Sequence, residues 1–113
     1  MFVFIPSKTK GKKVMEIELT RRGSDVLAEI SGVIKGNVDS EKFKKAIDEC
    51  GEITRLEIII KESFSITSTI IGYLNKKSAI KKVRVLLSIR DKRLYDLLDE
   101  LNLLESFNVT LIQ

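Results

Sequence analysis

From Met15 to Thr20 apolar and polar residues alternate, Met-Glu-Ile-Glu-Leu-Thr, the period of a strand with one buried face. The turn-rich Arg-Arg-Gly-Ser of residues 21–24 follows, and Val26 to Ile30 resumes the apolar pattern, so the two segments predict a hairpin. "SGVIKGN" mixes an apolar pair with two glycines and reads as a loop. Next, Phe43, Ala46, Ile47 and Cys50 recur at helical spacing, with Asp39 as the expected N-cap and Gly51 as the stop. Leu56 to Ile60 is a nearly continuous β-branched run, the pattern of a strand covered on both faces. A helix is expected over about Ser68 to Ser78, then a buried strand over Lys82 to Ser88. Asp91 is positioned to cap a further helix with the stripe Leu94, Leu97, Leu98 and Leu101, and Val109, Leu111 and Ile112 close the chain as a short strand. At the other end, Phe2 to Ile5 predicts an edge strand stopped by Pro6.

Strands that alternate with helices call for parallel pairing through right-handed crossovers, and the leading hairpin adds an antiparallel strand. The predicted fold class is therefore α/β, a mixed β-sheet with helices packed on it. At 113 residues, with no repeat or linker, one domain spanning 1–113 is expected. A chain of this length buries roughly two thirds of its unfolded surface, enough for a core without staples. Apolar residues at 43% and charged residues at 32% fit a globular protein rather than a disordered one. The apolar runs fall far short of the ~20 residues needed to cross a bilayer, and the start lacks a basic leader with a long apolar stretch. A cytoplasmic protein with no membrane partner is the expectation.

Chemistry is narrowed by what the chain lacks. It has no histidine, hence neither the commonest general base nor the commonest metal ligand. Cys50 is the single cysteine, which precludes an internal disulfide and leaves a zinc site to carboxylates. No metal, no cofactor and no enzymatic activity are expected. The net charge of +4 is modest, and part of it lies in Lys8, Lys10, Lys12 and Lys13. Without interleaved aromatics that cluster reads as a solvated loop, and nucleic acid is not an expected partner.

Five hydroxyls crowd into seven positions after the 56–60 strand: Ser63, Ser65, Thr67, Ser68 and Thr69. Functional groups in such sheets collect at the carboxyl ends of strands, where helix N-termini present free amides and partial positive charge. A hydroxyl there can cap the helix or carry a phosphate. The segment has no Gly-Lys-Ser/Thr and one glycine, Gly72, which argues against a P-loop and a flavin phosphate loop. No aspartate ends the strand at Ile60, which argues against a phosphoaspartate receiver. A small anion at the 67–69 helix end stays open.

Three segments together resemble the STAS domain, the family of bacterial anti-sigma factor antagonists and of the cytoplasmic domains of sulfate transporters. "ISGVIKGNVDSEKFKKAI" stands where that family has a hairpin ending in G-x-L-D and a helix. "SITSTIIGYL" stands at its I-D-S-S-G-L helix start, and "LLDELNLLESF" at its L-x-x-x-G-L-x-x-x-F segment. The likeness runs from about Val14 to Gln113. It implies a binding protein that docks an anti-sigma factor, itself a serine kinase, and is released by serine phosphorylation. Ser68 falls on the family's phosphorylatable serine, Ile66 on the preceding isoleucine and Gly72 on a small helical residue. Thr67 stands in place of the family's aspartate, Ile70 in place of a glycine, and Lys35 where an aspartate is common. Thr67 or Thr69 therefore stays open as the acceptor.

The implied partner-binding residues are Lys35, Ser63, Phe64, Ser65, Thr67, Ser68, Thr69 and Gly72, on a monomer or weak dimer. The alternative is a STAS scaffold that is not phosphorylated, a subunit of a larger signalling or transporter assembly. Phe64 and Tyr73 are candidate exposed contacts, and Cys50 reads as a small hydrophobe near a helix end.

Overall fold

The computed structural model describes residues 14–112; the predicted strand at Phe2 to Ile5 and the lysines at 8–13 lie outside them. The hairpin forms from β1 (Glu16–Arg22) and β2 (Asp25–Ser31), paired antiparallel. There follow α1 (Gly36–Asp48), β3 (Arg55–Ile60), α2 (Ser68–Asn75), β4 (Arg84–Ile89), α3 (Lys92–Glu100) and β5 (Val109–Leu111). α2 runs on as a π-helical turn over Lys76–Ile80. The five strands lie in chain order, β1-β2-β3-β4-β5, and every pair after the hairpin is parallel. The molecule is thus α/β, with a mixed five-stranded sheet.

Sequential order has a consequence for packing. Parallel crossovers are right-handed as a rule, and here all three step the same way across the sheet, which places all three helices on one face. The register confirms it. Val26, Leu56 and Val85 stand side by side, as do Ala28, Ile58 and Leu87, and Ile30, Ile60 and Ile89, and all nine are buried in one cluster. Their alternates on the opposite face, among them Leu27, Glu57, Ile59, Leu86 and Ser88, are half-buried. The two-sided cover expected for Leu56 to Ile60 is therefore corrected to one-sided.

Helix α1 starts before its expected cap. Lys35 is the N-cap, with extended backbone and no side-chain capping bond. Asp39 sits inside the first turn, buried, and its carboxylate accepts the Lys35 N–H at 2.8 Å. Phe43 and Ile47 bury the helix's inner stripe, while Ala46 and Cys50 flank it half-buried. Gly51, at φ +76, takes the left-handed conformation that ends the segment. Gly32 is needed for a different reason. At φ +81, a Cβ there would lie 2.4 Å from the Val14 carbonyl oxygen.

In α3 the inner stripe is Leu94 and Leu98, with Asp91 as N-cap accepting the Arg93 N–H at 2.8 Å. Leu101 departs from the expected stripe, being 48% exposed at the C-cap. The chain turns away there through Asn102 at φ +61, and Leu103 and Phe107 enter the core instead. Among the described residues no helix is long and apolar enough to cross a membrane.

Candidate functional site

β2, β3 and β4 are parallel, so their carboxyl ends bring three loops to one edge: 32–35, 61–67 and 90–91. Each loop leads into a helix N-terminus, where the first amides lack helical partners. The 61–67 loop is the longest of the three, and its side chains, with Ser68 after them, divide between two tasks.

The inward set ties this loop to its neighbour. The Ser63 hydroxyl is fully buried and accepts from the Ile34 N–H at 3.0 Å and the Ser65 N–H at 3.2 Å. It donates in turn to the Ser65 carbonyl at 2.7 Å. Ser65 donates to the Ile34 carbonyl at 2.8 Å, so both polar groups of the Ile34 backbone are satisfied across the gap between loops. Glu62 adds a third tie, its carboxylate accepting the Gly32 N–H at 2.7 Å. Thr67 is the N-cap of α2: its Oγ1 accepts the Ile70 N–H at 3.1 Å and shares a 2.6 Å hydrogen bond with Ser40 of α1. Ile66 packs against the core. Ser63 was expected to touch a partner, and its burial corrects that: it shapes the surface from beneath.

The outward set is Phe64 and Ser68. Phe64 is 46% exposed, with the Arg93 guanidinium 4.8 Å over its ring. Arg93 is itself held by Asp91, through Nε to Oδ1 at 3.0 Å and Nη2 to Oδ2 at 2.7 Å. That pairing holds the Asp91 carboxyl below its ordinary value and shifts the guanidinium upward. Ser68 is exposed as the first residue of α2, and its hydroxyl has no hydrogen bond to a described residue. The first turn of α2 holds no acidic side chain, so the positive helix end beside Ser68 is uncompensated from within the helix.

Lys35 is exposed at the neighbouring helix start, one loop away from this outward set. Thr69 and Gly72 are not part of the strand-end surface. They look sideways into a groove between α1 and α2, together with Tyr73. Tyr73 is only half exposed: it packs edge-on against Phe43 at 6.0 Å and donates its hydroxyl proton to Asp48. Burial, then Asp48, pushes the phenol pKa strongly upward, so it stays protonated.

Two residues of this edge escape sequence reasoning. Val38 is 80% exposed in the first turn of α1, off the Phe43–Ile47 stripe, and that offset was the available signal. Arg93 becomes a neighbour of Phe64 through the fold alone, with no local signal. The arrangement offers an exposed aromatic, an exposed valine, two cations and, at a helix start, a hydroxyl that bonds no described residue, which suits docking and modification. Compared with models of known protein families and with curated proteins, the chain matches none.

Proposed function

We propose that this chain is a regulatory docking domain of the STAS type, an anti-sigma factor antagonist that binds a serine-kinase anti-sigma factor through the strand-end surface. Ser68 is the acceptor in this reading, and its phosphorylation ends the complex. The observation that carries it is the division among the hydroxyls. Ser63, Ser65 and Thr67 are engaged in internal hydrogen bonds, while the Ser68 hydroxyl, at an exposed helix start, bonds no described residue. Thr67 is a poor acceptor because its oxygen caps α2, and Thr69 faces the groove half-buried.

A phosphate at the first helical position adds nearly two negative charges where the helix end tolerates them, so the domain stays folded. The partner, pressed against Phe64 and Val38, would meet that charge in a desolvated interface and be expelled. The reading implies a cytoplasmic protein that acts by binding rather than by catalysis. Titration calorimetry against the anti-sigma kinase encoded nearest to it tests the proposal: Ser68→Ala should bind like wild type and Ser68→Asp markedly more weakly. Equal affinity of the two variants would remove the switch.

The alternative is a STAS scaffold that docks without phosphorylation, favoured by Thr67 standing where the family has an aspartate. Such a scaffold self-associates, so size-exclusion chromatography separates the readings.

A further inference from the structure

A second surface lies on the flank of the molecule, apart from the strand-end loops. One side of α2 presents Thr69, Gly72 and Tyr73, the π turn that continues it adds Lys76, and α1 faces them with Lys44 and Asp48. Between them runs a groove of about 380 Å³. We propose that this groove takes an acidic segment of a partner protein, its carboxylates on the lysines and its main chain over Gly72.

Charge supplies the first argument. Lys44, Lys76, Lys77 and Lys81 line the groove against a single carboxylate, Asp48. That carboxylate is already engaged, accepting from Tyr73 and lying 3.9 Å from the Lys77 ammonium. Lys77 also sits 5.4 Å over the Tyr73 ring, so this pair and Asp48 close on themselves as a wall. Lys44 reaches Glu41 at 3.5 Å, and Lys76 and Lys81 have no acidic partner among the described residues. The π turn contributes here: the Lys81 N–H reaches back five residues to the Lys76 carbonyl, and both side chains line the groove.

Gly72 supplies the second. Glycine inside a helix is unfavourable relative to alanine, and a fold retains it where a side chain would clash or the backbone is left-handed. Neither holds at Gly72. Its φ is not positive, and a Cβ would meet nothing within 4 Å. What its bare backbone does provide is access, since another main chain can approach the groove floor closely.

Carboxylates suit the site better than a nucleic acid does. The groove holds no arginine for bidentate phosphate recognition. Among its described lining residues the one aromatic is Tyr73, half-buried in T-shaped contact with Phe43 and with Lys77 over its ring, and a single engaged ring is a poor platform for successive bases. The inference goes beyond the Ser68 reading and does not depend on it.

Fluorescence anisotropy tests the proposal, with the full chain titrated into labelled polyglutamate and, separately, into labelled single-stranded oligothymidylate. Wild type should bind polyglutamate in preference, more weakly as salt rises. Lys76→Glu with Lys81→Glu should weaken binding by at least about tenfold, whereas Arg55→Glu with Arg84→Glu, of equal net charge, exposed and outside the groove lining, should leave it within about twofold. Gly72→Leu should keep the native circular dichroism and lose binding, because its side chain fills open groove rather than core. Ser68→Ala should bind like wild type, which separates this test from that of the switch. Equal loss in the two charge-reversed variants, preference for the oligonucleotide, undiminished binding by Gly72→Leu, or no binding of polyglutamate would each overturn the proposal.

Discussion

Ser63 and Ser68 are the same amino acid in one short segment, yet they belong to different parts of the molecule. Ser63 is wholly buried and its hydroxyl makes three hydrogen bonds, two of them within its own loop and one to Ile34. Ser68 is exposed and its hydroxyl meets no described residue. The difference teaches that a hydroxyl cluster at a strand end is not one site. Its inward members fix the loop, and the rigidity they confer is what holds the outward members in place for a partner.

The contrast can be broken most forcefully from the buried side. Ser63→Ala leaves the Ile34 and Ser65 amides without their acceptor, and a loss of about 1–3 kcal/mol in urea unfolding is expected, the range for orphaned buried donors. Thr67→Ala removes the cap of α2 and the bond to Ser40, for a loss of about 1 kcal/mol, while Thr67→Ser should retain most of the stability. Gly72→Ala runs the other way. With open space for the methyl group and ordinary helical backbone, it should raise stability by up to about 1 kcal/mol. Ser68→Ala should shift the unfolding midpoint by no more than about 0.5 kcal/mol equivalent, as for any exposed side chain without partners.

The smallest effect belongs to the cation beside Phe64. The Asp91 carboxyl is held below its ordinary 3.8 by the Arg93 hydrogen bond, so it is the charged form that favours the folded state. Its contribution is present above 3.8 and is lost as pH falls through the lower folded value. Urea midpoints of wild type and Asp91→Asn should therefore differ at neutral pH and converge in strong acid.

Much of the architecture was legible because its causes are local. The hairpin follows from alternation around Gly23, α3 from the spacing of Leu94 and Leu98 behind Asp91, and the end of α1 from Gly51. What stayed hidden is non-local. Ile58 and Ile59 are chemically identical, and only the sequential strand order decides that one is buried and the other half open. The Ser63 acceptor role could not be read because Ile34 is 29 residues away. Asp39 was expected as the cap because a carboxylate can accept first-turn amides, but the chain turns earlier, at Lys35 and Gly36. The flank groove joins Lys44 of α1 to lysines of the turn that follows α2, and no spacing within either segment announces it.

The exposed Ser68 hydroxyl at the start of α2 is tested most directly by intact-mass and peptide mass spectrometry after incubation with ATP and the candidate anti-sigma serine kinase. The account predicts one added phosphate, located on Ser68, absent from Ser68→Ala and still acquired by Thr69→Val. An unmodified wild-type chain, or a phosphate that persists in Ser68→Ala, would contradict it.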